Sequence, residues 1–357
     1  MISQNSQING KTAAFGVIGN PISHTLSPQI HAHFAQLYNI NMAYLPFCVQ
    51  EEQLQSAING AFALGIRGLN ITVPHKIAVI PHLLAVDKMA TRVGAVNTLV
   101  SSENDENNEK VKKTKNFEQF EQKVEKVELE KNSKLAEKSQ KKEKTAPNER
   151  NILNTPKNGY IGYNTDYIGI IRTIENTQQS AQNAATFENS HVAIIGAGGS
   201  AYAAAIAAAE KSAKKLTVVN RTTENAIALA KHVKKYYNIS IDLFTPQDFN
   251  NIAQNPPNYD IIIQTTTVGF ANGVNGSLVS NLAIFGNTKL AFDLIYSPWQ
   301  TQFLQDAKFA GVPNVVNGFP MLVHQAFAAF QLWHNVNPQA HDLEEQIEKL
   351  SKRLYAD

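Results

Sequence analysis

Three groups of residues in this 357-residue chain have types and spacings that suit chemistry. The first is a glycine loop. The β-rich run 191–195 leads into Gly196, Ala197, Gly198, Gly199, Ser200 and Ala201, and an alanine-rich stretch follows to about residue 211. A glycine loop that leaves a strand and opens a helix is the setting in which a dinucleotide pyrophosphate is bound, and alanine is permitted at its last small position. In that reading Gly196 makes the tight turn, Gly198 lets the backbone approach the pyrophosphate, and the helix N-terminus holds the charge. About twenty residues on, the next apolar run ends in Asn220, Arg221 and Thr222, where an NAD enzyme places Asp or Glu on the ribose 2′-hydroxyl. Arg221 suits a 2′-phosphate instead, which favours NADP; the plainer alternative is a solvated arginine after a strand.

The second group is hydroxylic. The first apolar run ends in Gly19-Asn-Pro-Ile-Ser-His-Thr25-Leu-Ser27-Pro28. Ser27 alone reads as a helix N-cap, but Thr25 and Ser27 flank Leu26, and two hydroxyls beside a helix N-terminus suit a carboxylate ligand. The third group is a cation with a carboxylate. In Asn70-Ile-Thr72-Val-Pro74-His-Lys76, Pro74 is expected to open a helix, with Lys76 in the first turn, where the helix dipole repels a cation. A lysine set against its local preference points to acid–base work, although solvated lysines also tolerate first turns. Asn97 is a polar amide inside the strand-like run 95–100, where β-propensity disfavours it; satisfying a neighbouring backbone is the alternative. Asp166, in Gly162-Tyr-Asn164-Thr165-Asp166, precedes an expected helix at 167–177 and on its own would be that helix's N-cap.

These groups need a scaffold to bring them together. A chain of this length exceeds one hydrophobic core, so two domains are expected. Over the first hundred residues, short apolar runs at 15–18, 43–49, 69–72 and 95–100 alternate with helical patterns at 28–38 and 51–64, an α/β alternation. Beyond the glycine loop, strands are expected at 216–220, 241–244, 260–264, 290–295 and 312–316, a doubly wound parallel sheet. Helices at 321–333 and about 341–354 close the chain, the latter with Leu343, Ile347, Leu350 and Leu354 in one apolar stripe. The implied division is 1–165, 166–317 and 318–357.

Between 101 and 158 the pattern collapses into Glu, Lys, Asn, Ser and Gln, with too little apolar surface to offset ordering. Phe117, Phe120, Val124 and Val127 keep helical spacing within it, but the signs of charge alternate, so a solvated insertion is expected rather than a binding arm. That segment holds 14 of the 32 basic and 12 of the 30 acidic residues, so the net charge of +2 sits there and the rest is neutral. Such a balance argues against nucleic acid or anionic membrane as a partner. No apolar run reaches the roughly 20 residues a spanning helix needs. Residues 1–11 lack the features of a signal peptide, and Cys48 is the single cysteine; both fit a cytoplasmic protein. The ten histidines show no metal-ligand spacing, so no metal is expected.

Taken in order, GNPISHTLSP, LNITVPHK, GAVNT, YNTD, GAGGSA, VNRT and GFPMLVHQA resemble the shikimate dehydrogenase family, over nearly the whole chain apart from the insertion. The resemblance implies an N-terminal α/β substrate domain, a Rossmann-type NADP domain, and closing helices that return to the first. It implies the NADPH-dependent, reversible reduction of 3-dehydroshikimate to shikimate, a step of aromatic amino-acid biosynthesis, by a monomer or homodimer. By position it makes Lys76 and Asp166 the catalytic pair. It places the substrate carboxylate on Thr25 and Ser27 and the ring hydroxyls on Thr72, Asn97 and Gln325, with Asn70 and Tyr296 shaping the site. It gives 196–201, Asn220 to Thr222 and Thr266 to NADP(H), with Gly318 near the nicotinamide. Three departures stand out. Thr25 replaces a usual serine, Thr265 to Thr267 replace a frequent Asn-Ala-Thr, and 101–158 replaces a short hairpin connection. Thr25 keeps a hydroxyl but adds a methyl, which leaves open a quinate enzyme of broader specificity; a separate rival is a non-catalytic ligand sensor, which should have lost Lys76 or Asp166.

Overall fold

Two six-stranded sheets organise the chain, seen in a computed structural model that describes residues 8–103, 158–179, 185–251, 257–270, 274, 276–337 and 341–355. The first is built from β1 (Ala13–Gly19), α1 (Ser27–Leu37), β2 (Met42–Cys48), α2 (Leu54–Ala63), β3 (Gly68–Ile71), β4 (Ala85–Val86), α3 (Lys88–Val93), β5 (Thr98–Ser101) and β6 (Tyr160–Tyr163). Its order is β2-β1-β3-β5-β6-β4. β1 lies parallel to β2 and β3, whereas β5 runs antiparallel to β3 and β6.

α4 (Asp166–Gln179) leads to the second sheet: β7 (His191–Ile195), α5 (Gly199–Glu210), β8 (Lys215–Val219), α6 (Thr223–Lys234), β9 (Ser240–Phe244), α7 (Pro246–Asn251), β10 (Ile261–Gln264), β11 (Leu290–Asp293), α8 (Gln302–Phe309) and β12 (Asn314–Val316). All its pairs are parallel, in the order β12-β11-β10-β7-β8-β9. This is the expected doubly wound sheet, and its strand order reverses between β7 and β10, where such sheets bind ligands. β7 is apolar from Val192 to Ile195 because both its faces are covered. Val192 and Ile194 meet the alanines of α5, while Ala193 and Ile195 join Phe249, Phe303 and Leu304 on the other side.

The chain ends in α9 (Phe319–His334) and α10 (Leu343–Tyr355). Phe327, Phe330, Ile347 and Leu350 pack around Ile30 and Phe34 of α1, so the closing helices do return to the first sheet. The Trp333 indole N–H donates to the Leu99 carbonyl at 3.0 Å, and its ring fills the space a side chain at Gly68 would need.

Local structure departs from expectation around the candidate residues. Pro74 opens no α-helix. Residues 74–79 form turns ahead of a 3-10 turn at Ile80–His82. One i to i+4 bond forms, from Val79 N–H to His75 O at 2.9 Å, but the next does not: the Lys76 carbonyl accepts from Val96 N–H at 2.8 Å and Ile80 N–H goes to Ile77, so no α-helix develops. Lys76 therefore does not sit in the first turn of a helix, and no dipole of its own helix repels it. Ser27 is the first residue of α1 and caps nothing; Leu26 holds the N-cap position. Asn97 sits just before β5 instead of inside a strand. The short elements β4, α3 and β6 have too few residues to show a period. α3 nevertheless carried end signals: Asp87 accepts from Met89 N–H at 2.7 Å, and Gly94 ends the helix at φ 79°.

Of the expected insertion, 104–157 with its four helix-spaced apolar residues lies outside the described residues. Its flanks are hydrogen-bonded neighbours. Ser101 is paired with Tyr160, Ser102 N–H donates to Gly159 O at 2.9 Å, and Gly159 N–H donates to Ser102 Oγ at 3.1 Å. Replacing 104–157 by a short turn is therefore expected to preserve folding and turnover. A shortened chain that is insoluble, or that loses most of its kcat, would contradict this.

Candidate active site

A cavity of about 450 Å³ opens between the carboxyl ends of the two sheets. Thr72 and Lys76 reach it from the turn after β3, and Asp166 from the start of α4, beyond β6. Thr266 arrives after β10, Tyr296 after β11 and Gly318 after β12. Thr25, Ser27, Asn70, Asn97, Ser200 and Gln325 also line it. Gly196, Ala197, Gly198, Gly199, Ala201, Asn220, Arg221 and Thr222 are not part of this lining; they stand at the ends of β7 and β8.

At its centre Lys76 Nζ donates to Asp166 Oδ2 at 2.5 Å and to Ser200 Oγ at 3.0 Å. The lysine is 8% and the aspartate 3% exposed, so the pair is held out of bulk water. Asp166 is not a cap. The Asn164 side chain accepts from Tyr167 N–H at 3.1 Å, and the second Asp166 oxygen accepts from Asn97 Nδ2 at 2.8 Å.

Asn97 is the junction of this site. Its Oδ1 accepts from Thr165 N–H at 2.7 Å, which fixes the amide so that Nδ2 faces Asp166, Thr165 Oγ1 and, at 3.4 Å, Gln325 Oε1. Asn70 Nδ2 donates to Asn97 O and Thr98 Oγ1, and its Oδ1 accepts from the Tyr44 hydroxyl at 2.6 Å. Burial pushes the Tyr44 phenol well above its ordinary range, so it remains a donor. Next to Tyr44, Thr25 Oγ1 donates to Ser27 Oγ at 3.1 Å, and burial also raises the Tyr296 phenol, opposed by Leu26 backbone and the Thr25 hydroxyl. Tyr44, Thr98 and Thr165 join the site without being expected there from the sequence. Nothing in their local pattern marks them, because most of their partners are distant in sequence.

The second sheet supplies the cofactor side. Gly196 has φ 119° and a Cβ there would run into Thr265, so both conformation and space demand glycine. Gly198 is the N-cap of α5, and a Cβ at it would meet nothing within 4 Å. The loop thus leaves open space ahead of a helix N-terminus, which suits a pyrophosphate. Arg221 is exposed after β8, beside Asn220, whose side chain donates to Thr222 O at 2.8 Å.

Asp293, fully buried at the end of β11, braces this wall. It accepts from Thr301 Oγ1 at 2.6 Å and Ile295 N–H at 3.0 Å, and from Gln264, whose Oε1 accepts from Thr266 N–H. Burial pushes its carboxyl up from 3.8 to about 7, against those three donors. A carboxyl raised in the folded state favours folding at low pH and penalises it progressively as pH rises between those two values. Asp293→Asn should therefore gain on the wild type by roughly 2 kcal/mol in urea unfolding between pH 5 and pH 8. A difference that does not change with pH would contradict the assignment.

Three family descriptions match the chain in succession: the shikimate dehydrogenase substrate binding domain over residues 17–99, shikimate / quinate 5-dehydrogenase over 178–272, and the shikimate 5′-dehydrogenase C-terminal domain over 318–348. A shikimate dehydrogenase (NADP+) of Caldanaerobacter subterraneus subsp. tengcongensis is 32% identical over 330 residues, covering 92% of this chain and 93% of that one. The chain belongs to the shikimate dehydrogenase family. A second member, the shikimate dehydrogenase (NADP+) of Methanococcus aeolicus, is 31% identical over 95% of this chain and 98% of its own. Among solved structures of the family, a shikimate dehydrogenase in complex with NADP+ superposes with a TM-score of 0.71 at 27% identity, covering 98% and 99% of the two chains. Among the described residues no helix is long and apolar enough to cross a membrane.

Proposed function

We propose that this protein catalyses the NADPH-dependent, reversible reduction of the ring ketone of 3-dehydroshikimate to the alcohol of shikimate, with Lys76 as proton donor and Asp166 as its orienting partner. The observation that carries the reading is the buried 2.5 Å contact between Lys76 and Asp166 inside a cavity walled by hydroxyls and amides. NADPH, when bound, supplies the hydride to the ketone carbon. The carbonyl oxygen gains negative charge as that bond forms, and the Lys76 ammonium gives it a proton. Asp166 keeps the ammonium in place, and Asn97 keeps Asp166 in place. Thr25, Ser27 and Tyr296 hold the substrate carboxylate, while Thr72 and Gln325 face the ring hydroxyls and Asn70 stiffens the wall behind them. The backbone of the glycine loop, with Thr266, would hold the cofactor, with Gly318 on the nicotinamide side.

Arg221 is the residue that selects NADP. Arg221→Ala should weaken NADP binding by roughly 1.5–3 kcal/mol, the worth of a charge-assisted phosphate contact, with little change for NAD. Equal losses for both would show that Arg221 does not read the 2′-phosphate. The proposal as a whole is tested by assaying shikimate and quinate against NADP and NAD. Preferred turnover of shikimate with NADP is expected. A preference for quinate with NAD would replace it with the broader quinate reading, and no turnover of either acid would leave a ligand sensor.

A further inference from the structure

Gly199 is the first residue of α5, and its φ is not in the left-handed region, so its backbone conformation does not call for glycine. What calls for glycine is Lys76. A Cβ at position 199 would stand 2.8 Å from Lys76 Cβ and 3.1 Å from Lys76 Cδ, with Ala95 Cβ at 3.5 Å. The nearest of these atoms is the root of the lysine side chain, which cannot swing aside as its tip can. Any larger residue at 199 must therefore push the two sheets apart or displace Lys76. The next residue, Ser200, accepts from Lys76 Nζ at 3.0 Å. Gly198 behaves differently, since a Cβ there meets nothing within 4 Å. The two adjacent glycines face different things: Gly198 open space, Gly199 the lysine.

An ammonium has three N–H donors. Asp166 takes one from the first-sheet side and Ser200 one from the second-sheet side, so the group cannot spin and its third N–H is fixed. We infer that Gly199 and Ser200 are positioning residues for Lys76, so that the first turn of the dinucleotide loop is also the seat of the proton donor. The glycine loop then carries two tasks on different faces, and the donor is aligned only when both sheets are in register. This inference rests on the proposal that Lys76 donates the proton.

The test is a double-mutant cycle on kcat, at saturating NADPH and substrate, with Ser200→Ala, Lys76→Ala and their combination in the full chain. The NADPH dissociation constant of each variant is read separately from cofactor fluorescence. Ser200→Ala should lower kcat by about 5- to 30-fold with the NADPH constant within about threefold, and Ser200→Thr, which restores a hydroxyl, should recover most of the loss. In the Lys76→Ala background Ser200→Ala should have no further effect on kcat. Gly199→Ala should lower kcat more than Ser200→Ala does, again without a matching loss of NADPH binding, and the serine variants decide the question even if that protein does not fold. The inference is overturned if Ser200→Ala leaves kcat unchanged, if it raises only the NADPH constant, or if it lowers kcat equally with and without Lys76. Should Lys76→Ala itself retain full kcat, the proton-donor reading fails, and that outcome is recognisable from the single variant alone.

Discussion

Lys76→Ala is expected to lower kcat by about 10²- to 10⁴-fold, the range that positioned acid–base catalysis supplies, with the KM values for substrate and cofactor changing far less. The reasoning is that a proton donor earns its effect as the oxygen gains charge, so its loss appears in kcat rather than in ground-state binding. The Lys76 ammonium also neutralises a carboxylate that is only 3% exposed, and breaking a buried pair by removing one member is strongly destabilising. Rates must therefore be expressed per folded molecule, with the folded fraction measured by circular dichroism at the assay temperature. A variant that is folded and retains kcat within about tenfold of wild type would remove Lys76 from the chemistry.

Asp166→Asn is expected to reduce kcat on a similar scale while α4 stays intact. Asparagine caps helices nearly as well as aspartate, and the start of α4 is held by Asn164 in any case. The difference lies in what the side chain can accept. Asp166 accepts from Lys76 on one oxygen and from Asn97 Nδ2 on the other. An amide offers one oxygen, so its NH₂ would face either the ammonium or the Asn97 amide, donor against donor. Asn97 cannot turn to accommodate it without giving up the bond it accepts from Thr165 N–H. One buried contact must fail, costing about 1–3 kcal/mol of stability, and the lysine loses its fixed counter-charge. The decisive measurements are kcat per folded molecule and melting temperature, taken together. A lower melting temperature with an unchanged rate would make Asp166 a structural residue and end the dyad proposal.

What the chain's own order of residues determined was local. The apolar run of β7, the glycine turn and the alanine-rich helix follow one another directly, so the dinucleotide loop was readable from a stretch of about twenty residues. The apolar run of β10 was readable for the same reason, since burial on both faces leaves no polar alternation. The stripe of α10 was legible because helical spacing repeats within the element itself. Lys76 and Asp166 were marked by resemblance and by order along the chain, and the one physical argument for Lys76, its place at a helix start, did not survive, because a carbonyl that a helix would have used is taken by Val96.

Tertiary structure alone decided how these pieces meet. Lys76 and Asp166 are 90 positions apart, and Asn97 and Gln325 are 228 apart; no local pattern encodes a distance between groups carried on different strands. The hydroxyls of Tyr44, Thr98 and Thr165 gain their roles only from the strand register that brings β2, β3, β5 and the start of α4 into contact. The same holds for Gly199, which looks like one more cofactor glycine until the first sheet lays Lys76 against it. Side chains that act on a neighbour in sequence leave a readable spacing, whereas those that act across the cleft are specified by how the two sheets pack, which the linear pattern does not record.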